Sequence, residues 1–344
     1  MNGTIMAAEI REQPEVLRRV LTEGRARILE VAAAVREREP RFVLFVARGT
    51  SDHAALYAKY LVETQLGLPA GLASPSTMTI YDARPVLRDV LVIAVSQSGA
   101  SPDLVEPLSR ARGAGAITVA VTNSAGSPLA EMAEHHLDVL AGPERAVAAT
   151  KTYTAELLTL YCLVDALGGG DGGAADALPS RAERLLEREA DVDALAVRYR
   201  FAEQLVITAR GFNDPTAREA ALKLMETSYI VAHAFSGADL LHGPMAMIDR
   251  GFPVMAIVPQ GAGGAAMLPV IEGLRERGAD TLVIGDPAAA LLGTVGLSLD
   301  DLGPERLTPI LMILPLQQLA WHLARERGID PDAPRGLHKV TSTW

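Results

Sequence analysis

VLVIAVSQSGASPD, residues 90–103, runs from six consecutive apolar residues into a turn with three serines, a glutamine and a glycine, and it carries no charge before Asp103. A short unbroken run of Val, Leu, Ile and Ala reads as a strand covered on both faces, which is the habit of parallel sheets flanked by helices. In such open sheets ligands collect beyond the carboxyl ends of the strands, where the N–H groups at helix starts favour an anion. The hydroxyls of Ser96, Ser98 and Ser101 and the amide of Gln97 can donate to phosphate oxygens without a charged residue. An ordinary turn would also use serine and glycine, so the position at a strand end carries the weight of the reading.

The same alternation extends in both directions. RFVLFVARG (41–49) precedes the helical pattern DHAALYAKYLVETQ, and PDLVEPLSRAR follows the hydroxyl turn. AITVAVTN (116–123) is followed by SPLAEMAEH. The fold class expected is α/β, a doubly wound, flavodoxin-like parallel sheet with helices on both faces. GTS at 49–51 closes its strand in the style of the hydroxyl turn, so Thr50 and Ser51 join the candidate phosphate ligands.

After the glycine cluster LGGGDGG (167–173) the layout begins again. Gly49 of FVARG corresponds to Gly211 of VITARG at an offset of 162 residues, and Gln97 corresponds to Gln260 at an offset of 163. Two tandem copies of one unit account for this. The expected domains are 1–170, an N-terminal helix with the first unit, and 171–344, a linker helix with the second unit and a C-terminal tail. The copies differ at the turn, because Ser96, Gln97 and Ser98 become Pro259, Gln260 and Gly261.

Bulk composition narrows the function. The 344 residues are 49% hydrophobic and 22% charged, with a net charge of −10, so two real cores are affordable and nucleic acid is disfavoured as a partner. A single cysteine, Cys162, excludes an internal disulfide and any multi-cysteine metal site. The N-terminal residues lack a secretory pattern, and PILMILPLQQLAWHLA (309–324), broken by Pro315 and two glutamines, reads as a buried helix rather than a membrane span. A cytoplasmic protein with a small-molecule ligand is expected, with no membrane partner.

A second cluster is ALKLMETSYIVAHAFSGADLLHGPMAMID (221–249). Lys223 and Glu226 share a helix face, and spacing alone allows a simple surface ion pair. His242 follows in a glycine-containing loop, either as a packing residue or as the one side chain that titrates near neutrality. The tail DPDAPRGLHKVTSTW holds Lys339, and a frayed terminus is the plain alternative. His135 and His136 are adjacent, His53 and His233 read as near helix ends, and His322 lies on the late apolar helix; none has metal-ligand spacing, so no metal is expected. GAGGAA (261–266) fits a dinucleotide-binding pattern with Asp286 ending the next strand. The repeat, however, aligns this segment with the hydroxyl turn, and no nucleotide cofactor is expected.

Four ordered motifs, ARGTSDHAALYAKY, VSQSGASPD, AVAATKTYTAEL and the 221–249 segment, resemble the sugar isomerase (SIS) family, specifically the isomerase half of glucosamine-6-phosphate synthase. The resemblance runs from about residue 10 to Trp344 and implies two tandem SIS domains that bind a hexose 6-phosphate between them, usually in a homodimer with shared sites. It implies that Thr50, Ser51, Ser96, Gln97, Ser98 and Ser101 hold the phosphate and that the backbone of Val147 faces the sugar. By the same resemblance Glu226 moves a proton between C1 and C2, His242 of a neighbouring subunit opens the ring, Lys339 forms a Schiff base with the ketose, and Lys223 supports this machinery.

Ring opening and proton transfer need a histidine, a carboxylate and an amine, and no redox cofactor or metal. Departures from the family pattern are Ala149 before TK, Leu241 before HGP and His338 before the last lysine, positions that bear on the identity of sugar and amine. The synthase's glutamine-hydrolysing domain is not expected here. The expectation is therefore an SIS-type aminosugar-phosphate deaminase/isomerase that gives fructose 6-phosphate and ammonia. A deglycase or isomerase on another amine-substituted sugar 6-phosphate and a non-catalytic sugar-phosphate sensor are the alternatives.

Overall fold

The computed structural model describes residues 3–339 and divides them into two compact units. One comprises Glu12–Arg145, Ala149–Pro179 and the tail from His338; the other comprises the N-terminal stretch to Arg11, Ala146–Ala148 and Ser180–Leu337. The expected boundary at 170/171 falls inside the stretch 149–179 of the first of these units.

In the first unit five strands, β1 (Phe42–Val46), β2 (Ala70–Leu72), β3 (Val90–Ser96), β4 (Ile117–Thr122) and β5 (His135–Asp138), form one parallel sheet in the order β2-β1-β3-β4-β5. The register pairs Val43 with Leu91 and Ile93 with Val119. Leu91 to Val95 are all buried, because helices cover both faces of this strand. Each Leu, Val and Ile side chain among them contributes about 1.5–3 kcal/mol of burial, which is why the run is apolar at every position. The chain moves outward from β1 to β2, then returns past β1 to β3. The strand order reverses there, so the crevice of a doubly wound sheet opens beyond the carboxyl ends of β1 and β3.

The second unit repeats the plan. Its strands are β6 (Gln204–Ala209), β7 (Val231–Ser236), β8 (Pro253–Val258), β9 (Asp280–Gly285) and β10 (Val295–Ser298), in the order β10-β9-β8-β6-β7. Counted from the other edge this is the topology of the first sheet, strand for strand, as the tandem repeat predicts. One local expectation is corrected: His233 lies within β7, not near a helix end, and the segment after Glu226 contains an edge strand. The residues of β7 are largely exposed or half-buried, so they lack the apolar run that marks the central strands.

The glycine cluster is a compact turn at the end of the helix Lys151–Leu167, where the Asp165 carboxylate accepts from the Gly172 N–H at 2.9 Å. Cys162 is buried in that helix, and burial pushes its thiol up to about 12. The late helix Thr308–Glu326 is long and apolar enough to cross a membrane by length and composition, but its whole apolar window is buried inside the protein. It packs against the helices Glu189–Tyr199 and Asp214–Ser228.

Candidate functional site

At the end of β1, Gly49 takes φ 55° and ψ −130°, a conformation open to glycine, and the helix Thr50–Leu61 starts immediately after it. Thr50 and Ser51 therefore occupy the first helical positions. Ser51 is buried, and its hydroxyl donates to the Glu156 carboxylate at 2.9 Å. Ser96 is the last residue of β3, and its Oγ accepts from the Gly99 N–H at 3.1 Å. Gly99 has φ 62°, and a Cβ there would sit 2.2 Å from Ser127 Oγ, so the turn admits only glycine. Gln97 and Ser98 are half-buried. Ser101 is the N-cap of the helix Pro102–Gly113, but its side chain makes no capping bond.

The two turns are joined by a contact that the sequence did not announce. Arg48 donates to Asp103 at 2.9 Å, and the Asp103 carboxylate is only 2% exposed. Arg48 directly precedes Gly49, while Asp103 lies in the first turn of the helix after the hydroxyl loop. The pair thus fixes one turn against the other, at the point where the strand order reverses.

The same unit holds Lys339. Its ammonium donates to Glu144 Oε2 at 2.8 Å. Glu144 also accepts from the N–H groups of Thr150 and Thr152 at 2.9 and 3.1 Å and from the Thr152 hydroxyl at 2.7 Å. Burial by itself would raise the carboxyl pKa, but Lys339 and the Thr150 and Thr152 donors outweigh it and hold the group below its ordinary value. Lys151 is 2% exposed and pairs with Glu12 at 2.6 Å.

In the other unit, Lys223 and Glu226 lie on the helix Asp214–Ser228 and meet at 2.6 Å. A third member, Glu219, lies 3.3 Å from the same ammonium. Lys223 and Glu219 are 1% and 0% exposed and Glu226 is 23% exposed, so the cluster is buried at one end and open at the other. Burial opposes the charge on Lys223, but the two carboxylates more than offset it and raise its pKa above the ordinary lysine value. The surface-pair reading of Lys223 and Glu226 is thereby displaced. Glu219 was missed, although its spacing of four residues before Lys223 places it on the same face.

Tyr229, in the left-handed conformation, ends this helix, and its hydroxyl accepts from the Arg335 N–H at 2.7 Å. His242 caps the short helix Gly237–Leu241 and is exposed; its ring takes no hydrogen bond among the described residues. Val147 is half-buried, and the neighbouring Ala146 N–H donates to Glu9 at 3.2 Å.

The GAGGAA segment turns out to be filled by the protein's own anion. Glu305 accepts from the N–H groups of Ala262 and Gly263 at 2.9 and 2.7 Å. A Cβ on Gly261 would meet Glu305 Oε2 at 2.2 Å, and one on Gly264 would meet the Pro259 carbonyl at 1.7 Å. These glycines serve internal packing. Asp286 is occupied as well, since it caps Pro287–Ala290 by accepting from Ala288 and Ala289. Among the described residues no three His, Cys, Asp or Glu side chains gather as metal ligands.

These features define a tandem doubly wound α/β protein with hydroxyl turns at the switch point of one sheet and a lysine–carboxylate cluster on the first helix of the other repeat. The family model of the SIS domain matches residues 38–166 and 199–292, and the chain belongs to that family. It is 39% identical over 341 residues to the isomerizing glutamine–fructose-6-phosphate aminotransferase of Methanothermobacter thermautotrophicus, an alignment that takes in 98% of this chain and 57% of that protein. The chain thus spans little more than half the length of the curated relatives it matches. Among solved structures it resembles a Silicibacter pomeroyi chain for which a phosphosugar isomerase role has been suggested, at TM-score 0.87 and 36% identity over 96% of this chain and all of that one. It also resembles the C-terminal domain of glucosamine-fructose-6-phosphate aminotransferase from Francisella tularensis, at TM-score 0.86 and 27% identity over 96% of this chain and 98% of that one.

Proposed function

We propose that the protein is a sugar-phosphate isomerase acting on an aminosugar 6-phosphate, and that it converts glucosamine 6-phosphate to fructose 6-phosphate with release of ammonia. The backbone N–H of Ser51 and the hydroxyls of Thr50, Ser96, Ser98 and Ser101, with the Gln97 amide, bind the phosphate, and the Val147 backbone lies along the sugar. His242, supplied by a second copy in a homodimer, passes a proton to the ring oxygen as the C1 hydroxyl loses one. Glu226 then takes the proton from C2 and returns it to C1 while an amine proton passes to the C1 oxygen, which leaves an imine at C2. Addition of water at C2 and departure of the nitrogen give the ketose and ammonia, and Lys339 forms a Schiff base with that ketose.

The observation that carries this reading is the Lys223–Glu226 contact at 2.6 Å, backed by the fully buried Glu219. A general base must hold its proton-accepting oxygen in place, and a buried ammonium does so without contributing a competing base. The test is an assay of ammonia from glucosamine 6-phosphate, galactosamine 6-phosphate and fructosamine-type phosphates, without glutamine, with Glu226→Gln as control. Ammonia from one of these substrates above that control supports the reading. Ketose without ammonia makes the protein an isomerase only, and binding of fructose 6-phosphate with neither product makes it a sensor.

A further inference from the structure

Glu144 has no place in the chemistry described so far, yet it is a buried carboxylate. The side chain is fully buried and accepts four hydrogen bonds: two from the backbone at the start of the helix Lys151–Leu167, one from the Thr152 hydroxyl and one from Lys339. A carboxylate without access to water is strongly penalised unless it is paired and fully hydrogen-bonded. The nearby Lys151 is engaged with Glu12, so Lys339 supplies the cation for Glu144. The partners of Lys339 and Glu144 are unequal in a telling way. Glu144 is anchored by helix-start donors and has no exposed side-chain surface, whereas Lys339 is 24% exposed. The carboxylate is the fixed point, and the lysine is what it fixes.

We propose that Glu144 is the positioning residue of Lys339, seating the nitrogen for attack on a ketose carbonyl; this rests on the Schiff-base role given to Lys339 above. The ammonium passes one proton to water, and the freed lone pair forms the C–N bond at C2 while the carbonyl oxygen takes a proton from that nitrogen. The carbinolamine then loses its hydroxyl as water on taking a proton back from solvent. An iminium ion paired with the Glu144 carboxylate remains, the same net charge as at the start.

The test measures two reactions of Lys339. The first is reduction of the fructose 6-phosphate adduct by borohydride, with peptide mapping, in the wild type, Lys339→Met, Glu144→Gln and Glu144→Asp. The second is acylation of Lys339 by an N-hydroxysuccinimide ester in the unliganded protein. Charge-assisted contacts of this kind are worth about 10–100-fold, so Glu144→Gln is expected to slow adduct formation by at least about tenfold and to speed acylation of the released lysine severalfold. Glu144→Asp, which keeps the charge, is expected to recover part of the adduct rate. Melting curves and inorganic phosphate binding show whether each variant is folded. Wild-type rates of both reactions in Glu144→Gln overturn the proposal. Absence of a wild-type adduct on Lys339 defeats the Schiff-base role instead, and unchanged acylation in Glu144→Gln then defeats the positioning claim by itself.

Discussion

Lys223→Met removes the cation from the buried end of the cluster, where Glu219, 0% exposed, lies 3.3 Å from the ammonium. Breaking one side of a buried pair costs about 3–5 kcal/mol, whereas replacing both partners by apolar groups of similar volume is close to neutral. A unit of this size loses about 2–4 °C in melting temperature per kcal/mol, so the single variant should melt about 6–20 °C below the wild type. The double variant Lys223→Met, Glu219→Leu should recover most of that loss without recovering activity, since Glu226 still lacks its partner. Calorimetry of the three proteins is the assay. A single variant within about 2 °C of the wild type, or a double variant as unstable as the single, would refute the reasoning.

Four further outcomes are expected. Ser96→Ala should raise KM for sugar 6-phosphates by about 10–100-fold, the worth of a hydrogen bond to a charged group, with kcat little changed in steady-state kinetics. Glu305→Ala should lower unfolding free energy by about 1–2 kcal/mol, because the Ala262 and Gly263 N–H groups lose their acceptor, as measured by urea titration. Glu144 has a folded pKa below its unfolded value, so its stabilising share is complete above the ordinary carboxylate range and is lost as pH falls toward the lower folded value. Acid titration of melting temperature should show this loss in the wild type and a flatter profile in Glu144→Gln. Cys162, with its thiol pushed up to about 12, should resist a disulfide reagent at pH 8 until the protein unfolds.

Much of this architecture was legible because it is written in local periodicity. The runs that became β1, β3 and β4 are apolar at nearly every position, and the offset from Gly49 to Gly211 located the second sheet before any strand pairing was known. The hydroxyl turn and the Lys223–Glu226 spacing were visible for the same reason. Edge strands were not: β2 has three residues, and β7 is half open to solvent, so neither carries a buried run. The carboxylates that organise the site escaped because their partners are distant in sequence. Glu144 meets Lys339 across 195 positions, Ser51 meets Glu156 across 105, and Glu305 reaches the glycine turn across 43. The GAGGAA motif misleads when read alone, because no pattern of glycines tells whether the anion they cradle is a ligand or a side chain of the same chain.

The central claim is that Glu226, steadied by Lys223, moves the C2 proton of a sugar 6-phosphate. It is tested most directly by following the C2 proton of glucosamine 6-phosphate by NMR in 2H2O. Wild-type protein should erase the signal as fructose 6-phosphate accumulates, and Glu226→Gln should slow this by about 10²–10⁴-fold, the usual worth of a positioned acid–base group. A signal that persists while the sugar is bound, or that disappears as fast in Glu226→Gln as in the wild type, would contradict the account.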